Sequence, residues 1–251
     1  MAKVIILGSA FSIPDENHEN THMVVVGKEQ TVMIDCVGSP IPRLHHAGIG
    51  YDQVTELILT HFHPDHVSGV PTLLMDMWLL GRKNPLAIYG LDHTLDRVEK
   101  MMGFYDWDSW PNFFPVIFHR VPEEEMALLF DTNEMTVYSS PVKHWIPTLG
   151  LRFEFKDPRQ VMAYSCDTEP GPQMVKLAEK SDILIHEATG LSQGHSSARQ
   201  AGSIGAQAGA KALYLIHYPT GGFNPEPLIF EASEVFNGPV KLAKDFMVLE
   251  V

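Results

Sequence analysis

The chain has 251 residues, 45% of them hydrophobic, with a formal net charge of −13 and two cysteines. This is enough apolar material for one large globular domain or two small ones. The acidity disfavours strong non-specific binding to nucleic-acid backbones, and two cysteines cannot build a disulfide framework.

The opening MAKVIILGSAF has too short an apolar run for a signal peptide and reads as a first strand. Short β-rich runs bounded by turn residues fill the first third, at Val4–Leu7, Met23–Val26, Thr31–Ile34 and Leu57–Thr60. From Val67 to Gly81 the apolar residues Val67, Val70, Leu73, Leu74, Met77 and Trp78 recur near a period of 3.6 and predict a helix, with Pro71 tolerable in its first turn. Further strands are predicted at Leu86–Tyr89, Val116–Val121, Glu134–Ser139, Leu149–Phe155, Gln160–Ser165, Ile183–His186 and Ala212–His217. Helices are expected over Leu91–Met102, Gly171–Lys180, Ser196–Ala210 and Pro227–Phe236. Many strands with scattered helices imply two sheets with helices outside. No linker, repeat or low-complexity tract divides the chain, so residues 1–251 read as one domain. No run reaches the roughly 18 apolar residues of a membrane helix, and a cytoplasmic protein with no membrane partner is expected. Cys36 and Cys166, each beside an aspartate, read as small buried residues at strand ends rather than redox groups. The aromatic stretch from Phe104 to Phe114 reads as a loop packed on the core, an aromatic lid, a pocket wall or a dimer surface.

The densest chemistry is THFHPDHVSG, Thr60 to Gly69, which sets His61, His63, Asp65 and His66 within six positions. Such groups repel one another when charged and lose hydration when buried, unless a metal ion compensates. His61 and His63 share a face of an extended loop, while Asp65 and His66 turn the other way around a helix start, so one segment can serve two adjacent ions. Three further candidates close β-runs: His144 after SSPVK, Asp167 at the end of VMAYSCD and His217 at the end of ALYLIH. Singly, each reads equally well as a buried histidine or a turn-capping aspartate; beside the first motif, metal binding is the stronger reading. Imidazole and carboxylate ligands suit zinc, although manganese, iron or nickel can compete.

The series resembles the metallo-β-lactamase superfamily, and within it the ribonuclease Z branch. THFHPDHVSG matches the H-x-H-x-D-H signature, PVKH (141–144) the P-x-K-H loop, HEAT (186–189) the HEAT motif, HSS (195–197) the H-S-T loop and IHY around His217 the last ligand segment. LGSAFSIP and MIDC resemble the branch's opening strands, and the pieces run in the same order along nearly the whole chain. The resemblance implies a four-layer αββα sandwich with a two-metal site at one edge. It implies one ion held by His61, His63, His144 and Asp167, and a second by Asp65, His66, Asp167 and His217, with Asp167 bridging. It further implies that the ions activate a water for attack, that Asp65 steers it or takes its proton, and that His195, oriented by Glu187, protonates the leaving oxygen. His186 supports the core, and Lys143 is either a phosphate contact or a solvated lysine. Relatives of this type are commonly homodimers.

The branch's inserted tRNA-gripping arm has no counterpart, since Phe153–Asp167 contains only the tight turn KDPRQ, and YPTGGFNPEP follows His217 in place of Ser-Pro-Arg-Tyr. With no basic patch, the favoured function is a phosphodiesterase acting on a small or nucleotide-like phosphodiester. The runner-up is a tRNA 3′-processing endoribonuclease; a lactone or ester hydrolase and a non-catalytic scaffold stand further off. His63, where flavodiiron oxygen reductases carry glutamate, speaks against redox chemistry.

Overall fold

The computed structural model describes residues 2–251. Two seven-stranded mixed sheets lie face to face, and helices cover both outer faces. The first sheet has the order β14-β1-β2-β3-β4-β5-β6. Its strands are β1 (Lys3–Gly8), β2 (His22–Val26), β3 (Thr31–Ile34), β4 (Glu56–Ile58), β5 (Leu86–Gly90), β6 (Val116–Arg120) and β14 (Val248–Glu250). The second has the order β13-β12-β11-β10-β9-β8-β7, built from β7 (Ala127–Asp131), β8 (Met135–Val142), β9 (Thr148–Lys156), β10 (Arg159–Tyr164), β11 (Ile183–Glu187), β12 (Leu213–Ile216) and β13 (Val240–Leu242).

Side-chain alternation accounts for the layers. Val4 and Ile6 of β1 face the second sheet, while Ile5 and Leu7 face outward under the helices. The second sheet repeats the pattern: Ile183 and Ile185 of β11 point inward and Leu184 points out. The three apolar clusters are therefore the three interfaces of a four-layer sandwich. Each fully buried Leu, Ile or Val contributes about 1.5–3 kcal/mol. α1 (Pro40–His46), α3 (Val70–Leu79) and α4 (Asp92–Gly103) cover the first sheet, and α5 (Pro172–Leu177), α6 (Ala198–Ala208) and α7 (Glu226–Ser233) the second.

The parallel pairs β3–β4, β4–β5, β5–β6, β10–β11 and β11–β12 aim their C-terminal ends at one edge of the sandwich. Backbone bonds join the two sheets there: Leu149 N donates to Thr60 O, and His217 N to Ser9 O. Open α/β sheets bind ligands beyond such strand ends.

Three sequence readings change. The helix expected over 67–81 is two helices, α2 (Pro64–Val67) and α3, broken at Ser68–Gly69. Prolines at its start mask α1 in the sequence, and neighbouring charged or turn-rich residues mask β7, β13 and β14. The aromatic stretch runs from the end of α4 to the start of β6, the sandwich end opposite that edge, so it is no lid over it. Phe114 is buried, Trp107, Trp110 and Phe113 pack against the outer core, and Phe104 and Tyr105 are exposed.

At the break the chain approaches another segment closely, and Gly69 directs its N–H out of the helix. Gly69 N donates to Cys36 O, and a Cβ at Gly69 would sit 2.7 Å from the Val37 carbonyl carbon. Backbone cannot yield as a side-chain end can. Gly69→Ala is therefore expected to destabilise the fold by about 1–3 kcal/mol, read as a lower urea midpoint; an unchanged midpoint would refute the close approach.

Candidate metal centre

Every candidate ligand leaves the C-terminal end of a strand. β4 runs through Thr60 into His61 and His63, and α2 then turns Asp65 and His66 inward; β8 delivers His144, β10 Asp167 and β12 His217. His66, His61, Asp167 and His217 are buried.

Among the described residues four overlapping donor clusters form, and two of them carry the seven candidates. His61 Nε2 lies 3.0 Å from His63 Nδ1, which is 3.2 Å from His144 Nε2. Asp65, His66, Asp167 and His217 make the second group, all offering ligand atoms within 4.8 Å of one another. Asp167 touches both: its Oδ2 is 3.3 Å from His217 Nε2 and 3.9 Å from His144 Nε2, and its Oδ1 is 3.5 Å from His66 Nε2. All seven sequence candidates thus come together.

The donor chemistry fits cations. Three imidazole nitrogens facing one another at about 3 Å cannot all be satisfied by hydrogen bonds. His66 Nε2 and Asp167 Oδ1 are buried and face each other 3.5 Å apart without a hydrogen bond, a loose pairing that a metal ion between them would satisfy better. Burial, reinforced by the neighbouring His66, pushes the His61 pKa well below the histidine range, and burial does the same to a lesser degree for His63 and His144. Those three imidazoles therefore favour the neutral form, which can offer a lone pair to a cation. Burial opposes the charge on Asp167, yet His217 and His66 hold its carboxyl well below the usual range.

Sequence reasoning passed over Asp35 and Thr60, which aim two of these ligands. Asp35 ends β3 in the left-handed region, at φ 59°. Its Oδ2 accepts His66 Nδ1–H at 2.7 Å, and its carboxylate also accepts Thr60 N–H and Oγ1–H at 2.8–2.9 Å. With its hydrogen committed to Asp35, Thr60 Oγ1 accepts His61 Nδ1–H at 3.2 Å. Cys166 Sγ lies 3.5 Å from the same nitrogen. One carboxylate thus orients an imidazole in each donor group. The signal was present in MIDC, an apolar strand closed by an acid.

Glu187 and His195 form the neighbouring pair. The buried Glu187 carboxylate accepts N–H bonds from Thr168, Thr189 and Ser196 and from His195 Nδ1 at 3.1 Å. Burial lowers the His195 pKa, but the Glu187 hydrogen bond and charge, with Asp167 and Asp65, outweigh it and the net shift is upward. Ser197 and Gln200 close a capping box at the start of α6, fixing the loop that carries His195. His186 is buried, donates Nδ1–H to Glu187 O and lies outside the cavity lining.

The ligands open into a cavity of about 210 Å³ lined also by Ser12, Trp145, Thr189 and His195. Lys143 is absent from this lining: it is exposed and ion-paired with Glu169. No lysine or arginine lines the cavity.

Three comparisons place this geometry. A metallo-β-lactamase fold protein, YhfI from Bacillus subtilis, superposes with a TM-score of 0.85 at 23% identity, covering 100% of this chain and 99% of that one. Human tRNase Z, short form, gives a TM-score of 0.77 at 25% identity over 99% of each chain. Ribonuclease Z of Methanothermobacter thermautotrophicus is 28% identical over 308 aligned residues, covering 100% of this chain and 97% of the relative. That alignment exceeds the 251 residues here, so the relative carries segments without a counterpart. The fold is that of the metallo-β-lactamases, the sequence is similar to that of a ribonuclease Z, and the His/Asp clusters could hold metal ions. A narrower family model matches residues 2–226, a span that takes in every site residue from Asp35 to His217, and the chain belongs to the family described as anti-Pycsar protein Apyc1.

Proposed function

We propose that the protein is a two-metal phosphodiesterase whose substrate is a small or nucleotide-like phosphodiester. The observation that carries this reading is the pair of donor groups sharing Asp167 beside the Glu187–His195 pair, in one small cavity. Bound divalent ions would be held by His61, His63 and His144 on one side and Asp65, His66 and His217 on the other, with Asp167 between. Such ions lower the pKa of water and offset charge developing on phosphoryl oxygens. The imidazole-rich donors favour zinc. We read residues 1–251 as one domain doing this work.

The chain's own residues supply the proton transfers. Asp65, partly exposed to the cavity, takes the proton of the attacking water. His195 is held through Nδ1 by Glu187, so Nε2 is the nitrogen left to face substrate. As the water oxygen bonds to phosphorus, the P–O bond to the leaving group breaks, and the leaving oxygen takes the Nε2 proton. Glu187 favours the protonated form of His195 through its hydrogen bond and its charge. This proton is lost as pH rises through the folded-state value, so activity on poor leaving groups falls there.

Charge favours a small substrate over RNA. A diester carries one negative charge, which two cations and His195 can meet, and the cavity adds no lysine or arginine for further phosphates. The turn between β9 and β10 pairs Lys156 with Arg159 directly and leaves no room for an arm. tRNA 3′-processing is the second reading, favoured by full-length similarity to a ribonuclease Z. Metal-loaded protein is expected to hydrolyse activated diesters and to cleave precursor tRNA poorly; efficient, position-specific tRNA cleavage would reverse the order of the two readings. His195→Ala should slow alkoxide leaving groups by about 10²–10⁴-fold and nitrophenolates far less. Glu187→Gln should move the alkaline limb for alkoxide substrates to lower pH, because the group that raises the His195 pKa is gone. Equal losses on both leaving groups would place the donor elsewhere.

Metal content tests the ligand assignment. Elemental analysis should find about two transition ions per chain. Asp167→Ala should remove more metal than any single histidine change, since both donor groups meet there. Asp35→Asn, at a residue that is not itself a candidate ligand, should weaken retention against a chelator by about 10–100-fold; retention equal to wild type would remove Asp35 from the site.

We further place the protein in the cytoplasm, a reading supported by the buried, unpaired Cys36 and Cys166, which suit a reducing compartment. Among the described residues no helix is long and apolar enough to cross a membrane. A homodimer is supported by exposed Leu79, Leu80, Phe104 and Tyr105 at the ends of the adjacent helices α3 and α4. Sedimentation should give a dimer that Leu79→Asp with Phe104→Asp converts to monomer; a monomeric parent protein would dismiss it.

A further inference from the structure

The chain has four tryptophans. Trp78, Trp107 and Trp110 pack against the outer core of the first sheet. Trp145 joins none of the three apolar clusters and is 60% exposed. Leaving so large an apolar ring in water forfeits burial that the other three obtain. The ring is nevertheless placed with care. It lies 10° from parallel to His144 at a centroid distance of 5.5 Å, and edge-on to His63 at 6.0 Å and His195 at 5.7 Å. Gly194 lies beneath it: a Cβ there would stand 2.7 Å from the indole Cδ1 and Nε1. The residue one position after a candidate ligand thus forms part of the mouth, between the donor group and the proton donor. Its Nε1–H makes no hydrogen bond among the described residues, unlike that of Trp78, which donates to Pro111 O.

Cavity size says what meets it. About 210 Å³ is below the roughly 300 Å³ at which pockets begin to enclose whole ligands. A phosphodiester group fits inside; the substituents it carries must emerge past the mouth. A flat substituent emerging there meets an indole already fixed on its inner side by His144 and Gly194, so little ordering entropy remains to be lost.

We propose that Trp145 is the specificity-determining residue of this site, stacking on a planar ring carried by the phosphodiester and so favouring ring-bearing diesters over alkyl ones. The inference rests on the phosphodiesterase reading and adds a substrate feature to it. The ring can be an aryl group on phosphorus or a base held one sugar away; both offer the same π face.

Three diesters that share a nitrophenolate leaving group separate these cases on the metal-loaded full chain: ethyl, phenyl and thymidine-5′ esters. Wild type should favour the ring-bearing pair. Trp145→Ala should cut the ratio of ring-bearing to ethyl kcat/KM by on the order of 10- to 100-fold, mainly through KM, and Trp145→Phe should restore most of it. Loss confined to the phenyl or to the thymidine ester identifies which ring the indole takes. An unchanged ratio, with all three esters slowed together, means that Trp145 only props His144 and His195 and overturns the proposal. If wild type hydrolyses none of the three, the phosphodiesterase reading fails. Calorimetric binding of phenyl against ethyl methylphosphonate then decides the role of Trp145, with a Trp145→Ala loss specific to the phenyl compound expected and equal binding overturning it.

Discussion

Asp35 carries a constraint on which both donor groups depend. It is buried, closes a core strand and takes a left-handed backbone that costs a residue with a Cβ on the order of 1–3 kcal/mol. In return it binds His66 directly and His61 through Thr60. Cys166 and His217, at φ 53° and 55°, repeat the device beside Asp167 and at the last candidate ligand. Left-handed residues thus follow three strands at the edge where the candidate ligands gather. Local strain is distributed where the core strands, buried on both faces, can hold it.

The two sheets contribute differently. From the first come His61, His63, Asp65 and His66 on one continuous segment, whose relative placement is set by a strand end and one helical turn. From the second come His144, Asp167, Glu187, His195 and His217 on separate strand ends and loops. Backbone bonds from Leu149 to Thr60 and from His217 to Ser9 hold these contributions in register.

This difference explains what the sequence disclosed. Strands were legible because their inner and outer residues alternate, and the first motif because its donors are contiguous. His144, Asp167 and His217 were legible only in combination, since each alone resembles a core histidine or a turn acid. Asp35 was not distinguished because an acid after an apolar strand is ordinary, and only the fold brings His66 to it. At the helix break Gly69 is approached by Val37 from another segment, which periodicity cannot register. Short β13 and β14 owe their existence to the neighbours they pair with, not to their own three residues. The aromatic cluster was legible as composition but not as position: β6 runs parallel to β5, which sends residues 104–115 to the end remote from the ligands.

Lys143 and Glu169 show how charge near the site is spent. A lysine beside a ligand histidine suggests phosphate recognition, but Glu169 pairs with it and also accepts Gly194 N–H, while Gly194 O accepts Nδ1–H of His144. The positive charge therefore anchors the loop that carries His195 to the strand that carries His144, and it leaves the cavity without a fixed cation of its own. The lack of a lysine or arginine in the cavity lining supports the proposal of a substrate with a single charge, since several phosphates would need cationic partners that the lining does not offer.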